Sequence, residues 1–195
     1  MTVTIGVLAM QGAFAEHEKV LRQLGVETMQ VRTREQLAEV DGLIIPGGES
    51  TTIGKLLMAF ELDELLIARA RQGMPVWGTC AGMILMAKRI EGYPEQFRLG
   101  LMDMTAVRNA FGRQVDSFEV ELPVIGLDDQ PFTAVFIRAP YLKDAGAGVQ
   151  ILAEYEGKAV LARQGNCLAT AFHPELTADR RLHEYFCGIV NRSKE

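Results

Sequence analysis

Before residue 80, four short apolar runs, VTIGVLAM, GVETMQV, GLIIPGG and MPVWG, alternate with segments of helical periodicity. That alternation narrows the available folds sharply. A strand followed by a helix and another strand needs a crossover, and crossovers build parallel sheets. GLIIPGG is also too uniformly apolar for a sheet with one wet face, so it reads as a strand covered on both sides. Between the strands, AFAEHEKVLRQLG places Val20, Leu21 and Leu24 on one helical stripe and offers Gly25 as its stop. REQLAEV predicts a short helix, and LDELLIARARQG predicts a longer one closed by Gly73 and Pro75.

The second half has a different texture. SFEVELPV alternates Phe118, Val120 and Leu122 with Glu119 and Glu121, the period of a half-exposed strand, which predicts antiparallel pairing there. FTAVFIRAP, VQILAEYEG, KAVLARQG and CLATAFHPEL extend the strand series, with EGK as a tight turn between two of them. TADRRLHEYFCGIVNR closes the chain as an amphipathic helix with Leu182, Phe186, Ile189 and Val190 on one face. No repeat, low-complexity tract or linker interrupts this order. The expectation is one α/β domain over residues 1–195.

Size and charge limit what such a domain does. A chain of 195 residues buries roughly 70% of its unfolded surface, so it needs no staples. With 20 basic against 25 acidic side chains the net charge is -5, which disfavours nucleic acid and anionic membranes as partners. The opening MTVTIGVLAMQGAFAEHEK lacks a basic n-region, and no apolar run reaches the roughly 18 residues of a membrane helix, so a cytoplasmic protein is expected. Three widely spaced cysteines, Cys80, Cys167 and Cys187, are no disulfide framework, and no CxxC or HxxxH spacing suggests a metal.

One junction stands apart from this pattern. In PVWGTCAGMILMA, Cys80 sits between Gly78 and Gly82 where strand character gives way to helical character. A nucleophile on a sharp strand-to-helix turn projects at the carboxyl edge of the sheet, where α/β folds place their clefts, and small neighbours let the turn close. The helix start behind it favours a thiolate and can receive an oxyanion. A lone cysteine in an apolar run is more often a small core filler, so the reading needs a base held by a third group. ATAFHPEL supplies one: His173 ends a strand-like run, and Pro174 turns the chain so that Glu175 can reach back to the imidazole. The other histidines, His17 and His183, lie within helices beside charged residues and read as solvated or structural. GGESTTIGK imitates a phosphate loop, but the P-loop pattern wants glycine at Glu49 and Ser or Thr at Leu56. What PGGES offers is two flexible residues, Gly47 and Gly48, able to aim an amide toward the cleft edge, or a plain turn.

With PGGESTT, GTCAG, RNAFGRQVDSFE, FIRAP and FHPEL in that order, the chain resembles the class I (triad) glutamine amidotransferases, and within them the glutaminase subunits of pyridoxal 5'-phosphate synthase. The likeness spans nearly the whole chain. It implies a three-layer, flavodoxin-like α/β fold with a mixed, mostly parallel central sheet and helices on both faces. It implies Cys80 as nucleophile, His173 as general base and acid, Glu175 as its orienting partner, and an oxyanion hole from the backbone N–H groups of Gly48 and Ala81. Glutamine contacts follow at Gly48, Glu49, Ser50, Arg108, Ile137 and Arg138, with no cofactor and no metal. The partner implied is a (β/α)8-barrel synthase subunit that receives ammonia, and the surface around Gln11 to His17 is a candidate for meeting it. Taken singly, Arg108 and Arg138 also suit ordinary surface cations, and RNAFGRQVDSFE suits a structural role. Two rival readings stay open at this stage. One is an elbow-cysteine hydrolase of the protease or stress-response type; the other is a non-catalytic regulatory subunit. The run AMQG departs from the family's Leu before Gln11, a change of similar volume away from any catalytic position.

Overall fold

A computed structural model describes residues 3–109, 111 and 117–195. Its first part is the expected alternation: β1 (Thr4–Leu8), α1 (Phe14–Gln23), β2 (Glu27–Val31), α2 (Arg34–Glu39), β3 (Gly42–Ile45), α3 (Ser50–Ala59), α4 (Asp63–Arg71), β4 (Val76–Thr79) and α5 (Ala81–Met86). Helices α1 and α4 stop where the glycines predict, since Gly25 and Gly73 both take positive φ. Helix α2 starts on a capping box, with the Thr33 hydroxyl accepting from the Gln36 amide and Gln36 reaching back to the Thr33 amide.

The helix α3 is absent from the sequence reading, which considers GGESTTIGK only as a rejected phosphate loop and Gly47–Gly48 as a flexible aim for an amide or a plain turn. Glu49 explains the difference. Its carboxylate caps the helix, accepting from the backbone N–H of Thr52 at 2.8 Å and the Thr52 hydroxyl at 3.1 Å. At the other extreme, the helical run after Cys80 is only six residues long and passes straight into β5 (Ala87–Ile90).

The second part adds β6 (Met102–Val107), β7 (Ser117–Leu122), β8 (Phe132–Ile137), β9 (Tyr141–Lys143), β10 (Gln150–Tyr155), β11 (Lys158–Gln164), β12 (Cys167–Thr170) and α6 (Arg181–Arg192). Strands β5, β6 and β9 escape the sequence reading. The first two carry Lys88–Arg89 and a methionine-rich run of helical propensity, and the third is three residues long. The EGK turn is present, with Glu156 and Gly157 both at positive φ as a tight two-residue hairpin requires.

The large sheet runs β2-β1-β3-β4-β12-β11-β9-β6-β5, with β10 on β11. From β2 to β12 every pairing is parallel, and β5 with β6 is parallel again. The β12–β11, β11–β10, β11–β9 and β9–β6 pairings are antiparallel, which makes the sheet mixed. Strands β3, β4 and β12 are buried throughout, as their apolar runs demand. The alternating β7 pairs antiparallel with β8 in a small separate sheet. The path steps one way from β1 to β2 and back over β1 to β3, so right-handed crossovers put α1 on one face and α2 on the other. The α2 and α4 helices touch one another, and α6 shares the α1 face, meeting it through the histidines described below.

That reversal beside β1 is a topological switch point, where open α/β sheets form their clefts. The chain leaves the carboxyl ends of β1, β3, β4 and β12 on the same edge, carrying Gln11, Gly47–Gly48, Cys80 and His173 respectively. Of RNAFGRQVDSFE, Ala110 and residues 112–116 lie outside the described residues. Among those described, no helix is long and apolar enough to cross a membrane.

Candidate active site

Cys80 occupies a strained elbow. Its φ is 50° and ψ is -103°, a conformation a non-glycine residue adopts only when its surroundings impose it. They do so from both ends. The Cys80 N–H donates to the Thr170 carbonyl of β12 at 2.8 Å, and its own carbonyl accepts from Ile84 at 3.2 Å. The flanking glycines serve close approach, not conformational freedom, since neither has positive φ. A Cβ on Gly78 would lie 2.5 Å from the Gly82 main chain, and one on Gly82 would collide with the carbonyl of Ile45 in β3.

His173 follows β12 and is held by its own N–H, which donates to the Val135 carbonyl of β8 at 2.8 Å. Its ring Nδ1 lies 2.7 Å from Glu175 Oε1, leaving Nε2 as the nitrogen available to the thiol. Burial pulls the imidazole down, but hydrogen bonds to Cys80 and Glu175 and the charge of both groups outweigh it and raise its pKa to about 10. Glu175 sits wholly buried behind the ring. The three residues singled out from the sequence as a nucleophile, base and orienting acid are therefore brought together.

They open on a cleft of about 470 Å³ lined by Gly48, Glu49, Ser50, Ala81, Arg108, Ile137 and Arg138 with Cys80 and His173. Every other site residue expected from the sequence is thus on its wall. Gly47 and Gly48, read as flexible, prove to be points of contact. A Cβ on Gly47 would lie 2.5 Å from His173 Cε1, and one on Gly48 would strike the Gln11 side chain. The Gly47 carbonyl accepts from Ala13 N–H at 3.1 Å, so the trans peptide turns the Gly48 N–H away from α1. Cys80 Sγ is 4.0 Å from the Ile137 carbonyl. Arg108 Nη2 is 3.6 Å from Glu49 Oε1. Partial burial works against the Glu49 carboxylate, yet its bonds from Thr52 and the Arg108 charge hold its pKa below the ordinary range.

Several residues of the site escape the sequence reading. Gln11 lines the cleft and accepts from the Glu49 N–H at 2.8 Å. Gln96 donates to Ser50 Oγ at 2.9 Å and accepts from Arg108 Nη1 at 2.8 Å, while Tyr93 lies 4.5 Å beneath the Arg108 guanidinium. A polar residue just past the first buried strand is the available signal for Gln11; nothing local marks Gln96 or Tyr93. Of the two alternatives for the other histidines the structural one holds, since His17 and His183 are fully buried and neither is solvated. Between Gln11 and His17, Gly12, Ala15 and Glu16 are the exposed positions, while the Gln11 side chain accepts from Glu49. A larger groove of about 720 Å³, running along Pro123–Asp129 and Ile151–Glu154, contains no cysteine, histidine or arginine.

The chain is similar over most of its length to known proteins. The chain is 62% identical over 193 residues to a pyridoxal 5'-phosphate synthase subunit PdxT of Herpetosiphon aurantiacus, covering 96% of this chain and 100% of that one. It is 60% identical over 182 residues to the PdxT subunit of Pelotomaculum thermopropionicum, covering 93% and 92%. A crystal structure of a glutamine amidotransferase superposes with a TM-score of 0.92 at 50% identity, over 96% of this chain and 98% of that one. A glutamine amidotransferase from Thermotoga maritima, at 14% identity and TM-score 0.64 over 100% of this chain and 86% of that one, shares the fold. Of the readings left open by the sequence, the comparisons support the glutamine amidotransferase. Matched over residues 7–192, the chain belongs to the SNO glutamine amidotransferase family.

Proposed function

We propose that this chain is the glutaminase subunit of a pyridoxal 5'-phosphate synthase, hydrolysing L-glutamine to glutamate and supplying the ammonia for vitamin B6 synthesis. One observation carries the reading: a half-exposed cysteine on a strained elbow, beside a histidine whose far nitrogen is held by a buried carboxylate. In this reading the Cys80 thiolate attacks the side-chain amide carbon of glutamine. Backbone N–H groups of Gly48 and Ala81 receive the oxyanion, each donor being worth roughly 3 kcal/mol. Imidazolium His173 protonates the departing nitrogen, ammonia leaves, and a γ-glutamyl thioester remains. Neutral His173 then takes a proton from water, which hydrolyses the thioester. Glu175 keeps the imidazole in one tautomer and offsets its charge. Glu49, Ser50, Arg108, Ile137 and Arg138 hold the substrate, an acidic group facing its ammonium and a basic one its carboxylate.

The family likeness assigns the ammonia to a (β/α)8-barrel synthase subunit. Passing it directly has a physical reason, because ammonia released into neutral water is protonated and ceases to be a nucleophile. A cytoplasmic setting belongs to the same reading, since free thiols persist in reducing compartments.

Labelling tests the assignment. An electrophilic glutamine analogue, added to the complex with the synthase subunit, is expected to place one adduct on Cys80 and to be displaced by glutamine. Burial pushes the Cys167 and Cys187 thiols up to about 11, so both stay unlabelled. An adduct on either of them, or labelling indifferent to glutamine, would count against the proposal.

His173 also predicts a pH dependence of stability. Its folded-state pKa of about 10 lies above the ordinary 6.5. The stabilisation is therefore fully present below about pH 6.5 and is lost as pH rises through about 10. Thermal melts across that range are expected to fall more steeply for the wild type than for His173→Gln. Equal slopes would show that the imidazole is not responsible.

A further inference from the structure

Behind Glu175 the fold buries two imidazoles that no step of the reaction above uses. His17 of α1 and His183 of α6 are completely inaccessible and pack edge-on against Trp77 of β4, with ring centroids 5.7 and 4.8 Å away. His17 Nδ1 and His183 Nε2 are 2.9 Å apart, so one donates to the other. His17 Nε2 lies between Thr79 Oγ1 at 3.3 Å and Glu175 Oε2 at 3.4 Å. The second distance is longer than a settled N–H···O bond. Two of these buried atoms have no hydrogen-bond partner among the described residues, Glu175 Oε2 and His183 Nδ1.

Burial, with His183 and His173 nearby, holds the His17 pKa well below its ordinary value, and burial pushes His183 to about 3. Each ring is neutral and carries one proton, which leaves two arrangements. If His17 donated from Nδ1, its bare Nε2 lone pair would face the Glu175 carboxylate, and His183 would carry an unpaired N–H at Nδ1 in the interior. If His183 donates from Nε2, His17 carries its proton on Nε2, aimed at Glu175 Oε2 and Thr79, and the orphan at His183 is only an unused lone pair. The second arrangement avoids both the repulsion and the buried unpaired donor.

We propose that His17 is a positioning residue for the Glu175 carboxylate, held by His183 in the Nε2–H tautomer so that both carboxylate oxygens face imidazole N–H groups. The inference rests on the glutaminase reading of Cys80, His173 and Glu175. No proton moves along the chain. Being neutral, His17 orients the carboxylate without competing with the His173 imidazolium for its charge.

The chain has three histidines, so 15N-histidine NMR of the full chain reads each ring directly. His17 and His183 are each expected to show a protonated, pyrrole-type Nε2 and a bare, pyridine-type Nδ1 at neutral pH. A pyrrole-type Nδ1 on His183, or a charged ring at either position, overturns the proposal. In the complex with the synthase subunit, His17→Leu is expected to lower kcat for glutamine hydrolysis about 10- to 100-fold with little change in KM. His17→Gln, whose amide N–H can reach the same oxygen, restores most of it. Equal kcat for the Leu and Gln variants also overturns the proposal. Should the variants fail to fold, the wild-type spectrum decides alone. If Cys80→Ala keeps turnover, the assignment of Cys80, His173 and Glu175 as the triad fails while the tautomers stay as measured, so the two failures are distinguishable.

Discussion

Cys80→Ala is expected to remove ammonia release from glutamine, by about 10⁴-fold or more, while leaving the fold intact. The first half of that expectation follows from chemistry. Without sulfur no thioester forms, and knocking out a covalent nucleophile costs other triad enzymes about as much as losing the whole triad. The second half follows from the elbow. Alanine at φ 50° suffers the same clash of Cβ with backbone as cysteine does, so the substitution neither adds nor relieves strain. The lost sulfur is half-exposed and gives up a 4.0 Å contact with the Ile137 carbonyl and its interaction with the His173 ring, which Glu175 still holds, so stability changes by about 1–2 kcal/mol. An ammonia-coupled assay with the synthase subunit, beside a thermal melt of the same sample, checks both halves. Turnover retained by a folded Cys80→Ala would remove Cys80 from the mechanism.

Gly82→Ala is expected to be strongly destabilising, because the methyl added at the start of α5 enters β3 of the central sheet. The added Cβ would enter the carbonyl of Ile45, and Ile45 is fully buried at the end of β3. Neither side can yield cheaply, because β3 is paired to β4 through Ile45 and Gly78, and Gly78 is itself in contact with Gly82. Relief requires parting β3 from the elbow, at a cost of about 3 kcal/mol or more. Gly25→Ala makes the informative comparison. Gly25 has φ of 73° with nothing near its missing Cβ, so there the cost is only that of a left-handed backbone, about 1 kcal/mol. Urea unfolding is expected to show a far larger drop in midpoint for Gly82→Ala than for Gly25→Ala. Similar drops would mean that Gly82 is needed for its conformation and not for the space it leaves. The loss of activity should follow the loss of stability, since shifting the elbow moves Cys80 away from His173.

These two glycines also show how far a sequence can be read. Gly25 is legible because a helix stop is a local event: an apolar stripe ends and a residue able to take positive φ follows. Gly82 is legible as a small residue beside a nucleophile, but its partner, Ile45, is set by the neighbouring strand. The same division holds in the cleft. Cys80 and the His173–Glu175 pair carry local signatures, an elbow and a Pro-turned H-x-E. Gln96 has none, because its role depends on bonding Ser50 and Arg108 from a different loop. The helix α3 goes unread because its cap is a glutamate inside a motif that imitates a phosphate loop, where hydroxyl or Asp/Asn caps are the common signal.

By itself, the sequence determined the alternation of β1 to β4 with α1, α2 and α4, the parallel first half, the antiparallel hairpin and the candidates for nucleophile and base. Each of these rests on periodicity or on neighbours within a few residues. Only the tertiary structure decided that His17 and His183 are buried behind Glu175, that Gln11 turns inward, and that Gly47 lies against the imidazole. Those contacts join residues from different elements at the sheet's carboxyl edge. The strand order brings them within bonding distance, and no local pattern encodes that order.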